Sequence, residues 1–92
     1  MESVAGLDVG VKKSALCVVT RDASSTRLLR RHRTATDPSS IGSWLASQGV
    51  VRVGLEAGAQ SSWLAHELEH RGFEVTVMEA RRQRAFGAYS KV

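Results

Sequence analysis

Apolar positions fall into short runs separated by turn-forming residues. Val4 to Val9 is apolar apart from Asp8 and ends at Gly10. Ala15 to Val19 is a second run, and Lys12-Lys13 with Gly10 marks a tight reversal between them, so the pattern predicts an antiparallel hairpin. Arg21-Asp22-Ala23-Ser24-Ser25 is turn-like. Arg27 to Thr34 sets Leu28 and Leu29 among four Arg and His32. As a strand it must be a wet, charged edge, which discourages edge-to-edge aggregation.

The period then changes. Asp37-Pro38 reads as a helix start, with Asp as N-cap and Pro at the first helical position. Ile41, Trp44 and Leu45 repeat at three and four, and Gly49 is the stop. Val50, Val51, Val53 and Leu55 predict a buried strand ending at Glu56. A second helix opens after Gly58 at Gln60-Ser61-Ser62, with Trp63, Leu64 and Leu68 inward and His66, Glu67, Glu69 and His70 mostly outward. Gly72 ends it. Phe73, Val75 and Val77 alternate with Glu74 and Thr76 as a last strand, and Arg81 to Tyr89 starts a third helix.

The order β-β-β-α-β-α-β implies a mixed sheet. Strands reached through helices run parallel to the first by right-handed crossovers. The expected fold is α/β: an RNase H-like, mixed five-stranded sheet of order 3-2-1-4-5 with two to three helices, incomplete at the C-terminus. Residues 1–92 form one unit, without internal repeat, low-complexity segment or linker.

Composition adds limits. Hydrophobic residues are 42% and charged residues 24% of the 92, which excludes wholesale disorder. The purely apolar stretches fall far short of the ~20 residues of a membrane span, and no secretory leader opens the chain. The single cysteine, Cys17, lies in an apolar run, so a cytoplasmic protein with a buried, inert thiol is expected. Net charge is +4, and ten of the thirteen cations are Arg. They cluster at Arg27, Arg30, Arg31 and Arg33 and again at Arg81, Arg82 and Arg84. The planar guanidinium fork suits phosphate, which tilts the charge balance toward nucleic acid over a merely solvated face. Lys12 and Lys13 at the first reversal join Arg81, Arg82 and Arg84 as candidate nucleic-acid-binding residues.

Asp8 interrupts a central strand, where an ionised carboxylate is costly unless paired or metal-bound. Glu56 ends the fourth strand, beside and parallel to the first. Both acids then reach the crevice where open α/β sheets bind ligands. Two adjacent carboxylates suit Mg²⁺ or Mn²⁺; taken singly, Asp8 reads as a turn or edge acid and Glu56 as a strand-end acid or helix-start charge. His66 and His70, four apart, could hold zinc, but no third ligand is evident and surface histidines are the plainer reading. Trp44 and Trp63 sit among leucines at helical spacing, which favours core over base stacking.

Three segments carry a resemblance. Gly6-Leu7-Asp8-Val9-Gly10-Val11-Lys12-Lys13 resembles the opening strand of RuvC-like nucleases. Val53-Gly54-Leu55-Glu56-Ala57-Gly58, with Trp63-Leu64 after it, resembles a second family segment. Gly72-Phe73-Glu74-Val75-Thr76-Val77 leading into Arg81-Arg82-Gln83-Arg84-Ala85-Phe86 resembles a third. Together they look like the N-terminal RuvC-like domain of DEDD transposases of bacterial insertion sequences of the one-hundred-and-ten group. The resemblance implies DNA transposition and recombination by strand cleavage, four acids holding divalent metal, and Asp8 and Glu56 as the first two. It implies DNA as partner and a structured guide RNA as a further one; full-length transposase subunits are the partner expected of a non-catalytic module. The family's third and fourth acids lie in a stretch soon after the basic helix. Here no acid follows Glu79, so the expectation is a truncated fragment, inactive alone. The alternatives are a small RuvC-like Holliday-junction resolvase and a non-catalytic basic nucleic-acid-binding module.

Overall fold

The computed structural model describes residues 2–21 and 25–78. Its elements are β1 (Glu2–Asp8), β2 (Lys13–Arg21), β3 (Thr26–Ala35), α1 (Pro38–Ser47), β4 (Arg52–Glu56), α2 (Ser61–His70) and β5 (Glu74–Met78). The strands form one sheet in the order β3-β2-β1-β4-β5. The hairpin-linked strands β1, β2 and β3 are antiparallel, while β4 joins β1, and β5 joins β4, in parallel. This is the expected mixed sheet with its two helical crossovers. The third helix expected from Arg81 lies outside the described residues.

Alternation sorts each strand between two faces. Ala5 and Leu7 of β1, Leu16 and Val18 of β2, and Val53 and Leu55 of β4 share the face that packs against Ile41 and Leu45 of α1 and Leu64, Ala65 and Leu68 of α2. Burying each large aliphatic side chain contributes about 1.5–3 kcal/mol. Gly6, Asp8, Ala15, Cys17, Gly54 and Glu56 occupy the opposite face. Cys17 is fully buried, and desolvation pushes its thiol pKa up against a smaller opposing pull from the Gly6 backbone. That suits an inert thiol.

Local signals set the helix ends. The Ser40 N–H and hydroxyl both donate to Asp37 Oδ2, at 2.9 and 3.0 Å, while Pro38 opens α1. Both helices stop in the same way. Gly49 and Gly72 adopt positive φ of 71° and 97°, a region that penalises any Cβ. The N–H groups of Val50 and Phe73 then reach back to Leu45 and Leu68, and those of Gly49 and Gly72 to Ala46 and Glu69. These are Schellman closures with apolar partners at both ends.

Two expectations change. Trp63 is 49% exposed, and Ala65 takes the inward position beside Leu64 and Leu68. A ten-residue helix offers the sheet one stripe, and 64, 65 and 68 fill it. Val51 is also exposed, because β4 starts only at Arg52; Val50 is buried, but through its helix-closing contact with Leu45. The sequence pattern set no register for β3, and its ladder is irregular. Val18 pairs with Arg30 but Val19 with Leu28, leaving Leu29 as a bulge. Arg30 faces the helices and Arg31 and Arg33 the other side by plain alternation; across the bulge the facing reverses, which brings Arg27 to the helix side as well.

Candidate functional site

The two acids singled out from the sequence lie side by side. The parallel register between β1 and β4 runs from Val4–Arg52 to Leu7–Leu55, and Asp8 and Glu56 are the next residues on their strands. Alternation puts both on the face away from the helices, on strands about 4.8 Å apart. Each is partly exposed. Neither carboxylate has a hydrogen-bond or ion-pair partner among the described residues. Two half-buried anions on neighbouring strands repel one another, and a shared hard cation relieves that repulsion. Among the described residues no group of three His, Cys, Asp or Glu comes together, so the pair supplies part of a metal shell.

A cleft of about 140 Å³ opens at these strand ends, lined by residues 9–11 and 56–61. Both of its walls are fixed by short-range bonds. On one side, a Cβ at Gly10 would collide with the Lys13 carbonyl oxygen, so only glycine lets the chain reverse this tightly after Asp8. Thr36, just beyond β3, ties that reversal down. Its hydroxyl donates to the Gly10 carbonyl at 2.7 Å and lies 2.7 Å from the hydroxyl of buried Ser14, while its N–H donates to Lys12 O at 2.9 Å. On the other side, the Ala57 N–H donates to Met78 O at 2.8 Å, extending the β4–β5 ladder. The Ser61 hydroxyl accepts from Gly58 N–H at 2.7 Å and donates to Gly58 O at 2.8 Å. Sequence reading missed Ser14, Thr36 and Ser61. The only local signal was Thr36 directly before the Asp37-Pro38 helix start.

The basic residues divide. Lys12 and Lys13 are exposed on the reversal, next to Asp8. Arg81, Arg82 and Arg84 lie outside the described residues. Arg27, Arg30, Arg31 and Arg33 are all exposed along β3, and among the described residues none is paired with a carboxylate. An open groove of about 560 Å³ follows this strand along residues 28–33. The wet, charged edge expected from the sequence is therefore present. Arg52, by contrast, is paired with Glu74 across β4–β5 at 3.4 Å, with both side chains more than 60% exposed.

The histidines and tryptophans have other surroundings. The rings of His66 and His70 meet edge to face with centroids 4.5 Å apart, both exposed, and no third ligand joins them among the described residues. Trp44 is half-buried against the core, and His32 stacks on it.

No protein-family model matches the chain, and no curated protein matches it. Solved structures do. The Fowlpox virus resolvase, in complex with its substrate Holliday junction DNA, is 16% identical with a TM-score of 0.69; the match covers 90% of this chain and 68% of that one. RuvC of Thermus thermophilus, in complex with a Holliday junction substrate, is 16% identical with a TM-score of 0.67, covering 89% and 67%. An Aquifex aeolicus member of the Ppx/GppA family is 11% identical with a TM-score of 0.56, covering 88% of this chain and 36% of the other. Identities this low speak to the fold. With the sheet order and both crossovers in place, the chain has the RuvC-like form of the RNase H fold.

Proposed function

We propose that this chain is part of a RuvC-like DNA recombination nuclease, binding DNA across the C-terminal ends of β1 and β4. The observation that carries this reading is the pair Asp8 and Glu56, without a partner among the described residues and on one face of adjacent parallel strands beside an open cleft. Together these carboxylates would hold Mg²⁺ or Mn²⁺, and the ion would polarise a phosphoryl oxygen and lower the pKa of a bound water. The chain's own residues would do the rest. The Gly10 reversal, held by Thr36, keeps Asp8 in place. The bonded loop at residues 57–61 keeps Glu56 in place. Lys12, Lys13 and the β3 arginines would draw in the polyanion.

Two carboxylates meet only part of the demand of two-metal phosphoryl transfer. We therefore assign DNA and metal binding to the chain by itself, and strand cleavage to an assembly that adds further acids. The finer assignment is to the DEDD transposases of the one-hundred-and-ten group, which the three sequence segments support. A small Holliday-junction resolvase is supported by the fold of the two resolvase neighbours. Isothermal titration with Mn²⁺ tests the shared core of these readings. Wild-type protein should take up the ion and Asp8→Asn should not; equal uptake by both would remove the acid pair from the function. The runner-up is a non-catalytic basic module, favoured by the β3 arginines, none of which is paired with a carboxylate among the described residues. It predicts DNA affinity indifferent to metal and to Asp8→Asn.

A further inference from the structure

The register joins the acid pair to one arginine. Across the sheet, Asp8 pairs with Ala15, and Ala15 with Arg33. Arg33, Ala15, Asp8 and Glu56 therefore make one row on one face, running from the β3 edge to β4. Every member is at least partly exposed, and Arg33 is exposed. The residue between cation and acids is alanine, whose methyl leaves the floor of the row low. Arg33 stands two strand spacings, about 10 Å, from Asp8. It has no carboxylate partner among the described residues. Arg31 lies on the same face, two residues back along β3. Arg30 does not, by plain alternation with Arg31, and Arg27 does not because the bulge at Leu29 turns it to the helix side.

We propose that Arg33 grips the phosphate next to the one held at Asp8 and Glu56, so that the DNA strand crosses the sheet end over Ala15 toward β3. This rests on the reading of the acid pair as a metal site. The acids and ion act on one phosphate. Arg33 offers its planar fork to the neighbouring phosphate on the β3 side, where the described residues of β2 and β3 include no acid. Arg33 is thus a positioning residue: it sets the path and polarity of the strand. The arginines on the helix face add general attraction only.

Anisotropy of a labelled four-way DNA junction, with Mg²⁺ or with EDTA, separates these roles. In the wild type, Mg²⁺ should tighten binding and Asp8→Asn should abolish that gain. Arg33→Ala should weaken binding in Mg²⁺ roughly tenfold, as expected for a charge-assisted hydrogen bond, and shrink the Mg²⁺-dependent gain. Arg33→Lys should recover part of the loss. Arg30→Ala should cost about 0.9 of the log–log salt slope and leave the Mg²⁺ gain intact. Ala15→Glu, which raises an acid between the two grips, should abolish the gain while the circular dichroism spectrum stays native. An Arg33→Ala protein with the full Mg²⁺ gain would overturn the proposal while the metal site stood. A wild-type affinity indifferent to Mg²⁺ and to Asp8→Asn would remove the metal site and the proposal together.

Discussion

The imidazole of His32 lies flat on the indole of Trp44, with centroids 4.8 Å apart and ring planes 6° from parallel. His32 faces the helices from β3, and Trp44 projects from α1, so the stack fastens the outermost strand to the first crossover helix. Aromatic pairs contribute roughly 0.5–1.5 kcal/mol beyond their buried area. His32→Ala should lower the urea-unfolding free energy by about 1 kcal/mol, with His32→Phe keeping most of it. Equal stability of all three proteins would show the stack to be incidental.

The cap of α1 is predicted to make stability pH-dependent. Backbone and then side-chain bonds from Ser40 hold the Asp37 carboxyl below the usual carboxylate range. A lowered folded-state pKa means the contribution is fully present above the ordinary carboxylate value, near 3.9, and is lost as pH falls through the lowered one. Asn caps without titrating. The stability advantage of wild type over Asp37→Asn should therefore be largest near neutrality and shrink as pH falls below about 4. A constant difference across that range would contradict the cap's charge having any role.

Two positions on α2, five residues apart, should respond very differently. Leu68 is fully buried, so Leu68→Ala should cost about 2–5 kcal/mol. Trp63, though larger, is half-exposed, and Trp63→Ala should fall within about 0.5 kcal/mol of wild type. Thermal melts of the two variants suffice, and a severe loss in Trp63→Ala would mean that its ring is held by a contact.

Thr36 links folding to the site. Thr36→Val keeps the shape but removes the hydroxyl that bonds the Gly10 carbonyl and buried Ser14. Leaving those groups unpaired should cost about 1–3 kcal/mol. The loosened reversal should also weaken Mn²⁺ binding at Asp8, and Thr36→Ser should restore both quantities. Destabilisation with unchanged Mn²⁺ affinity would uncouple the turn from the acid pair.

Much of this fold is legible in the sequence because its determinants are local. Asp37-Pro38, Gly49 and Gly72 each act within a few residues, and alternation in the strands shows which side chains go inward. The pairing of Asp8 with Glu56 follows once hairpins and crossovers fix the strand order. What cannot be read this way depends on partners distant in the chain. Trp63 looks like a core residue until the stripe of Leu64, Ala65 and Leu68 is seen to fill the contact. Ser14 and Thr36 are ordinary residues until β2 and the end of β3 bring their hydroxyls together. The alignment of Arg33 with Asp8 needs two registers at once, and Leu29 hides one of them: uninterrupted alternation would have put Arg27, Leu29, Arg31 and Arg33 on one face.

That surplus residue divides β3 into two stretches that can drift separately. Downstream, Arg31 and Arg33 are indexed to the sheet through Cys17 and Ala15. Upstream, a residue gained or lost can be absorbed by the irregularity instead of rotating the whole strand. Removing Leu29 should straighten the ladder and leave the facing of Arg33 untouched, whereas an extra residue between Arg31 and Arg33 should turn one of them to the helix side. Length variation among descendants of this chain should therefore collect before the bulge and be purged after it.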